Sequence, residues 1–393
     1  MPDIARRLKQ AEGRGEGVEW IQRLARGRER LIRMEISEPS FPTPSHIMDA
    51  ARQALDEGST GYSDFQGMPE LRQAVADKLQ QEAGVAYDPE TEVLITAGTA
   101  ESNYIATQAV VDPGEEVLIA DPTYLGFETY VLLAAGSPVA VPLVEENQWN
   151  LDLEALRHSL SPQTKAIMLN SPNNPTGTVF TREELSRVAE VAVDEDLWVI
   201  YDMLFDKMVY EGTAFANVAS LSGMKERTLL LGGWSKVYSM CGFRVGWVAA
   251  EAETIARLTK TLHLYVSICA NPVSQRAALA ALRGPDRWWQ TWLRSYRRRR
   301  DWAVAALNDI PGISCQQPEG GFWVFPDMRG VEGDSYKLAR DLLDEVGVVT
   351  CPGVDFGSKG EGHLRIVYGH TPMEALKEGV QRIRRFAVDR VGM

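Results

Sequence analysis

Short apolar runs alternate with longer amphipathic stretches through the middle of the chain. Val93-Leu-Ile-Thr96, Glu116-Val-Leu-Ile-Ala120, Lys165-Ala-Ile-Met-Leu169, Trp198-Val-Ile-Tyr201 and Thr228-Leu-Leu-Leu231 are apolar at nearly every position. A strand without a polar face needs cover on both sides, and parallel sheets have that property because their crossover helices pack on both faces. Stretches of helical spacing at 69–82, 101–111 and 182–194 predict those crossovers. The last is opened by Thr181 ahead of two glutamates, a side chain suited to accept from the free N–H groups of a first turn. Residues 46–275 are therefore expected to form a large α/β domain, a mostly parallel sheet covered by helices.

After about residue 276 the pattern changes. A long helical stretch (288–307) is followed by apolar strands around Gly321-Phe-Trp-Val-Phe325, a helix at 335–346 and a strand at 364–368. This predicts a smaller α+β domain over 276–393. Residues 1–45 form an N-terminal segment, charged and helix-prone over its first 30 residues, expected to pack with the small domain or over the cleft; an exposed arm fits the pattern equally.

Length agrees with this division, since 393 residues exceed one small core. The hydrophobic content of 45% and charged content of 24% exclude disordered and fibrous classes. A formal net charge of -13 argues against nucleic acid as a partner, because phosphate neutralisation needs a basic face. The basic run Arg297 to Arg300 sits inside the long helical stretch and is read as a solvated face. No apolar run has membrane-spanning length and no apolar segment follows the early charges, so no membrane partner and a cytoplasmic location are expected. Cys241, Cys269, Cys315 and Cys351 are widely spaced and are read as buried free thiols. The five histidines do not fall at metal-ligand spacings, and no metal is expected. A nucleophile elbow is lacking, and the glycine-rich stretch Gly13-Arg-Gly-Glu-Gly17 has no strand before it.

Open α/β sheets bind ligands beyond the carboxyl ends of their strands, so the polar residues after each apolar run are the place to look. Asn170-Ser-Pro-Asn-Asn-Pro-Thr-Gly177 follows one strand, Asp202 the next, and Gly232-Gly-Trp-Ser-Lys236 a third, with Arg244 eight positions after the lysine. Singly each is weak. Together they supply what a pyridine-aldehyde cofactor requires: a lysine for a Schiff base, a carboxylate to keep the ring nitrogen protonated, and an anchor for phosphate. A second part of that anchor is expected at Ala97-Gly-Thr-Ala-Glu101, where a strand gives way to a helix through small residues and N-terminal N–H groups face an anion. Ser235 and Arg244 would complete it.

The sequence resembles a class I/II aminotransferase of fold type I, the aspartate-aminotransferase-like enzymes that depend on pyridoxal 5'-phosphate. The segments carrying the resemblance include Glu38-Pro-Ser-Phe-Pro-Thr-Pro44, Gly61-Tyr-Ser-Asp-Phe-Gln-Gly67, Asp121-Pro-Thr-Tyr124, Asn173-Asn-Pro-Thr-Gly177, Ser235-Lys236, Gly242-Phe-Arg-Val-Gly246 and Leu364-Arg-Ile366. The resemblance implies a homodimeric enzyme with shared active sites that exchanges amino groups between an α-amino acid and a 2-oxo acid. It implies Lys236 as the Schiff-base and proton-transfer lysine, Asp202 on the pyridinium nitrogen, Asn174 on the phenolic oxygen and Tyr124 stacked on the ring. Gly98, Thr99, Ala100, Ser235 and Arg244 would hold the phosphate, with Tyr62 reaching it from the neighbouring subunit. Arg365 would clamp the substrate carboxylate, a geometry suited to guanidinium.

The pattern is broken in three places. Family members usually carry tyrosine three residues after the pyridinium aspartate, and here the residue is Phe205. Ser37 stands where glycine is usual close to the substrate carboxylate, and Met203 replaces a usual glutamate. These departures leave a second outcome open, a lyase, decarboxylase or oxidase on the same fold. A cofactor-binding regulator would need a separate DNA-binding domain ahead of a family pattern that already begins near residue 35.

Overall fold

The computed structural model describes residues 3–13 and 15–392. Met1, Pro2, Arg14 and Met393 lie outside them, and with Arg14 one position of the glycine-rich stretch 13–17.

The apolar runs assemble into one eight-stranded sheet. Its order is Val93–Thr96, Gly246–Ala249, Thr228–Gly233, Trp198–Asp202, Thr164–Asn170, Glu116–Asp121, Ser137–Val144 and Asn150–Leu151. Side chains alternate between faces along each strand. Val199, Tyr201 and Leu230 accordingly join one core, whereas Ile200, Leu229 and Leu231 join another on the opposite face. Four of the five predicted runs pair in parallel with one another, and Val93–Thr96 stands apart from them at the sheet edge. The strand Gly246–Ala249 runs antiparallel to both its neighbours. Between Gly233 and Gly246 the chain holds no α-helix to carry a crossover, so it turns back on itself.

The covering helices follow the expected spacing. Arg182–Asp194 begins with a capping box in which Thr181 accepts from the Glu184 N–H and Glu184 reaches back to the Thr181 N–H. Pro69–Ala83 starts with proline at its first position and stops at Gly84 in the left-handed region. The helix after the first strand begins at Thr99, two residues earlier than the spacing suggests, because Gly98 at φ +99° turns the chain directly into it.

A second, smaller sheet joins Trp323–Val324, Leu364–Val367 and Cys351–Pro352, all antiparallel. The strand expected over 321–325 shrinks to two residues because Gly321, at φ +73°, breaks it. Ile32–Arg33 pairs in parallel with Val348–Val349, tying the N-terminal segment to this region. The helix Gly17–Ala25 packs on Ser335–Val346, while Arg6–Ala11 lies on Gly126–Leu133 beside the large sheet. Among the described residues no helix is long and apolar enough to cross a membrane.

Candidate active site

Strand register brings the polar ends of three neighbouring strands level. Asn170 pairs with Asp202, and Asp202 with Leu231, so Gly232 and Gly233 emerge at the same edge. Beyond that edge lies a cavity of about 310 Å³, within the range of small-molecule sites. Ser37, Thr99, Ala100, Tyr124, Asn174, Asp202, Phe205, Lys236 and Arg365 all line it. They come from seven separate segments of the chain.

Asp202 is buried at the floor of this cavity, and burial pushes its carboxyl up to about 6. Two donors work against that rise: Asn103 Nδ2 at 2.8 Å from Oδ2 and the Leu204 N–H at 2.9 Å from Oδ1. Asn103 stands one turn along the helix from Thr99, whose carbonyl also accepts from its Nδ2 at 3.0 Å.

Burial likewise pushes the Lys236 amine below its ordinary value, with the nearby Arg365 and Arg244 acting in the same direction and Cys241 and Glu38 opposing. Its Nζ donates to the Ser37 carbonyl at 2.6 Å and lies 3.9 Å from the Cys241 thiol. Tyr124 stands over the cavity with its hydroxyl hydrogen-bonded to Tyr130, and burial raises its pKa.

Arg365 is buried, and its guanidinium is held by the Asn174 side-chain oxygen at 3.2 Å, the Glu35 carbonyl at 3.2 Å and the Cys351 sulfur at 3.3 Å. Its Nε has no partner. The Phe356 ring lies 4.8 Å below the guanidinium carbon. A planar group with paired donors is suited to binding a carboxylate.

Gly98 and Arg244 meet at one end of the site. A Cβ on Gly98 would lie 2.6 Å from Arg244 Nη2, and one on Gly246 would lie 2.7 Å from the Thr99 nitrogen. The missing side chains let backbone, guanidinium and helix N-terminus converge. Thr99 Oγ1 donates to the Gly232 carbonyl at 3.1 Å, which fixes the turn to the strand carrying Ser235 and Lys236. Glu101 braces the turn from behind, accepting from the Ala97 N–H and, at 2.8 Å each, from Ser267 Oγ and His263 Nδ1.

Tyr62 does not line this cavity within its own chain and is 78% exposed. Phe205 lines the cavity and contributes only a ring, held edge-on by Trp323 at 4.7 Å.

Several groups escaped the sequence. Asn103, Val18 and Leu125 belong to the cavity. Only Asn103 carried a legible signal, four residues after Thr99 on one helix face. The thiols divide, Cys315 and Cys351 being buried while Cys241 and Cys269 are partly exposed. Glu145, Asp327 and His363 bring ligand atoms within 4.8 Å of one another. Arg329 already bonds both carboxylates, at 2.8 Å each, so the group is an ion-pair network.

Comparison with known proteins identifies the family. The family model for aminotransferase class I and II matches residues 29–383. Aromatic-amino-acid aminotransferase 2 of Thermococcus litoralis is 38% identical over 92% of this chain and 93% of its own. The aspartate aminotransferase of Pyrococcus abyssi is 36% identical over 92% and 93%. The crystal structure of the aspartate aminotransferase from Rhizobium meliloti superposes with a TM-score of 0.93 at 31% identity, covering 99% of this chain and 100% of that one. Family and fold agree along nearly the whole sequence, and the protein belongs to the class I and II aminotransferases, an enzyme of fold type I.

Proposed function

We propose that the protein holds pyridoxal 5'-phosphate through Lys236 and uses it to move the amino group of an α-amino acid to a 2-oxo acid. One arrangement carries this reading: an amine of lowered basicity (Lys236), a buried carboxylate (Asp202) and a guanidinium clamp (Arg365) open into the same cavity.

The residues fit the cofactor at three points. The turn of Gly98 into the N–H groups of Thr99 and Ala100, with Arg244 beside it, suits a phosphate, which gains from a helix N-terminus and a guanidinium together, and Ser235 would add a hydroxyl. Asp202, disfavoured as an anion by burial, gains from a cationic neighbour such as a protonated ring nitrogen. Asn174 spends its oxygen on Arg365, which leaves its amide nitrogen to donate to a phenolic oxygen.

When bound, the cofactor supplies a conjugated, positively charged ring that takes up the electron pair left on the substrate's α-carbon. Arg365 and Asn174 orient the amino acid by its carboxylate. Lys236 Nζ removes the α-proton and returns it, work that a lowered pKa favours because the amine gives up its own proton more readily. Asp202 would pair with the protonated ring nitrogen, and Tyr124 would supply an aromatic surface for the ring. Ser37 adds its carbonyl next to Lys236 Nζ.

A homodimer with shared sites accompanies this reading. Tyr62, Phe65, Tyr265 and Val266 are exposed large apolar side chains, and Gln275 binds their segments together through Ser63 Oγ (2.9 Å) and the Ala270 carbonyl (2.8 Å). Such a patch marks an interaction surface, and a second copy would carry Tyr62 to its neighbour's phosphate. Four free cysteines suit a reducing compartment, and a cytoplasmic enzyme is proposed. The division into 1–45, 46–275 and 276–393 is retained as the proposed domain organisation.

Borohydride reduction of the yellow holoenzyme followed by peptide mapping tests the assignment, with amine transfer measured in the presence and absence of a 2-oxo acid. A label on Lys236 and acceptor-dependent transfer are expected. Absence of that label would remove the cofactor assignment, and acceptor-independent ammonia release or oxygen uptake would replace transamination with elimination or oxidation.

A further inference from the structure

The turn that suits the cofactor phosphate is held by a carboxylate that does not line the cavity. Glu101 stands in the first turn of the helix Thr99–Val110 and is buried. Three donors converge on it: the Ala97 N–H on Oε2, and His263 Nδ1 and Ser267 Oγ on Oε1 at 2.8 Å each. An ionised carboxylate accepts at every position, whereas an amide would turn its hydrogens toward one of these donors. Although burial opposes it, the bonds from His263, Ala97 and Ser267 hold the Glu101 carboxyl below the usual carboxylate range.

Glu101 thereby ties down the peptide ahead of Gly98. The N–H groups of Glu101 and Ser102 close on the Gly98 carbonyl at 2.9 and 3.2 Å. Thr99 and Ala100 carry the first two N–H groups of the helix, which have no acceptor within it. The turn is thus pinned at Ala97 and at Glu101, and the two N–H groups that suit an anion lie between the pins.

The far half of the clamp is built at a cost. His263 ends a π-helical turn, Thr259–His263, set between two α-helical pieces, a rare widening that often accompanies function. Its carbonyl accepts from the Ser267 and Ile268 N–H groups at 3.0 and 3.1 Å, which brings Ser267 Oγ back to 3.2 Å from His263 Nδ1. Ile268 then takes φ +66°, a strained conformation for a β-branched residue. What this geometry achieves is two side-chain donors on one carboxylate. His263 is fully buried, and among the described residues its Nε2 has no partner, so its ring serves Glu101.

Resting on the cofactor reading of this site, we propose that Glu101, clamped by His263 and Ser267, is a positioning residue that shapes the Gly98–Ala100 turn for the cofactor phosphate. The segment 259–268 then sets phosphate affinity without touching the cofactor.

Dissociation constants of pyridoxal 5'-phosphate and of pyridoxal, which has no phosphate, are to be measured by absorbance titration of the apoenzyme. The ratio of the second to the first reads the phosphate contribution, which a general loss of stability does not move. Glu101→Gln and His263→Phe are each expected to lower this ratio about fivefold or more, within the range of residues that act through another group. His263→Asn keeps a donor near the place of Nδ1 and should stay within about twofold of wild type. The same falls are expected in a Tyr62→Phe background, because clamp and turn belong to one protomer. Should Glu101→Gln fail to fold, the two histidine variants decide alone. An unchanged ratio in His263→Phe overturns the proposal, as does an equal fall in His263→Asn. A fall that disappears with Tyr62→Phe places the effect in the subunit contact and overturns it too. A wild type that binds neither compound overturns the cofactor reading itself, and this inference with it.

Discussion

Asn103 Nδ2 donates to Asp202 Oδ2 at 2.8 Å from a helix whose first turn faces Arg244. The same helix thus supports the carboxylate at one end of the proposed cofactor and the phosphate cradle at the other. Removal of this donor, in Asn103→Ala, leaves the buried carboxylate with one fewer hydrogen bond. A hydrogen bond to a charged group is worth about 1.5–3 kcal/mol, so cofactor affinity is expected to fall by roughly tenfold or more. Equilibrium dialysis of the variant checks this, and an unchanged dissociation constant would show that Asn103 does not support the carboxylate.

Burial also makes Asp202 costly to the protein without cofactor. Its pKa rises from 3.8 to about 6 on folding, so the folded state binds the extra proton between those values. Stability then falls as pH rises from about 4 to about 6, which sets the sign of the expectation. Asp202→Asn should stabilise the cofactor-free protein at pH 7.5 by up to about 3 kcal/mol, at about 1.36 kcal/mol per pKa unit. The gain should shrink below pH 6 and vanish near pH 4. Denaturant unfolding across this range tests it, and a pH-independent difference would contradict the cause assigned.

Phe205 brings a ring without a hydroxyl to the cavity that Asn174 also lines. Because a donor to the phenolic oxygen favours its anionic form, Phe205→Tyr is expected to lower the pKa of the Lys236-bound cofactor. The size should be about one to two units, from about 1.5–3 kcal/mol per charged hydrogen bond. A spectrophotometric pH titration reads it directly, and an unmoved midpoint would refute the proposal.

Gly98 has two reasons to be glycine, its φ of +99° and the nearness of Arg244. Gly98→Ala is expected to lower stability by about 1–3 kcal/mol through backbone strain. It should also weaken phosphate binding by displacing the guanidinium. Gly114, at φ +90° with open space around its Cβ position, separates the two effects. Gly114→Ala should cost stability while leaving cofactor affinity unchanged, and equal affinity losses in both variants would mean that Arg244 is not involved.

Tyr62 can be tested by mixing subunits. Lys236→Ala and Tyr62→Ala homodimers are each expected to be impaired. A hybrid of the two has one site with both defects and one with neither, so mixing after mild dissociation should restore activity. No recovery would place Tyr62 in its own protomer's site or outside any.

Much of this site is legible in sequence because strand ends are local events. Asp202 follows four apolar residues, Lys236 follows a second apolar run through two glycines, and each run is short enough to be read as a strand. Their meeting depends on register, which aligned Asn170 with Asp202 and Asp202 with Leu231 through contacts distant in sequence. The antiparallel return of Gly246–Ala249 was not legible, since an apolar strand carries no mark of its direction.

By itself, the sequence determined which residues are chemically able to act: a lysine, a carboxylate and a glycine turn that follow predicted strands, and an arginine within one. Only the tertiary structure decided what surrounds them. It brought Val18 from the N-terminal helix to the cavity wall, set Asn103 against Asp202 and joined Glu145, Asp327 and His363 into one network. Local propensity acts over a few residues, whereas burial, and with it the basicity of Lys236 and Asp202, comes from packing between segments far apart in the chain.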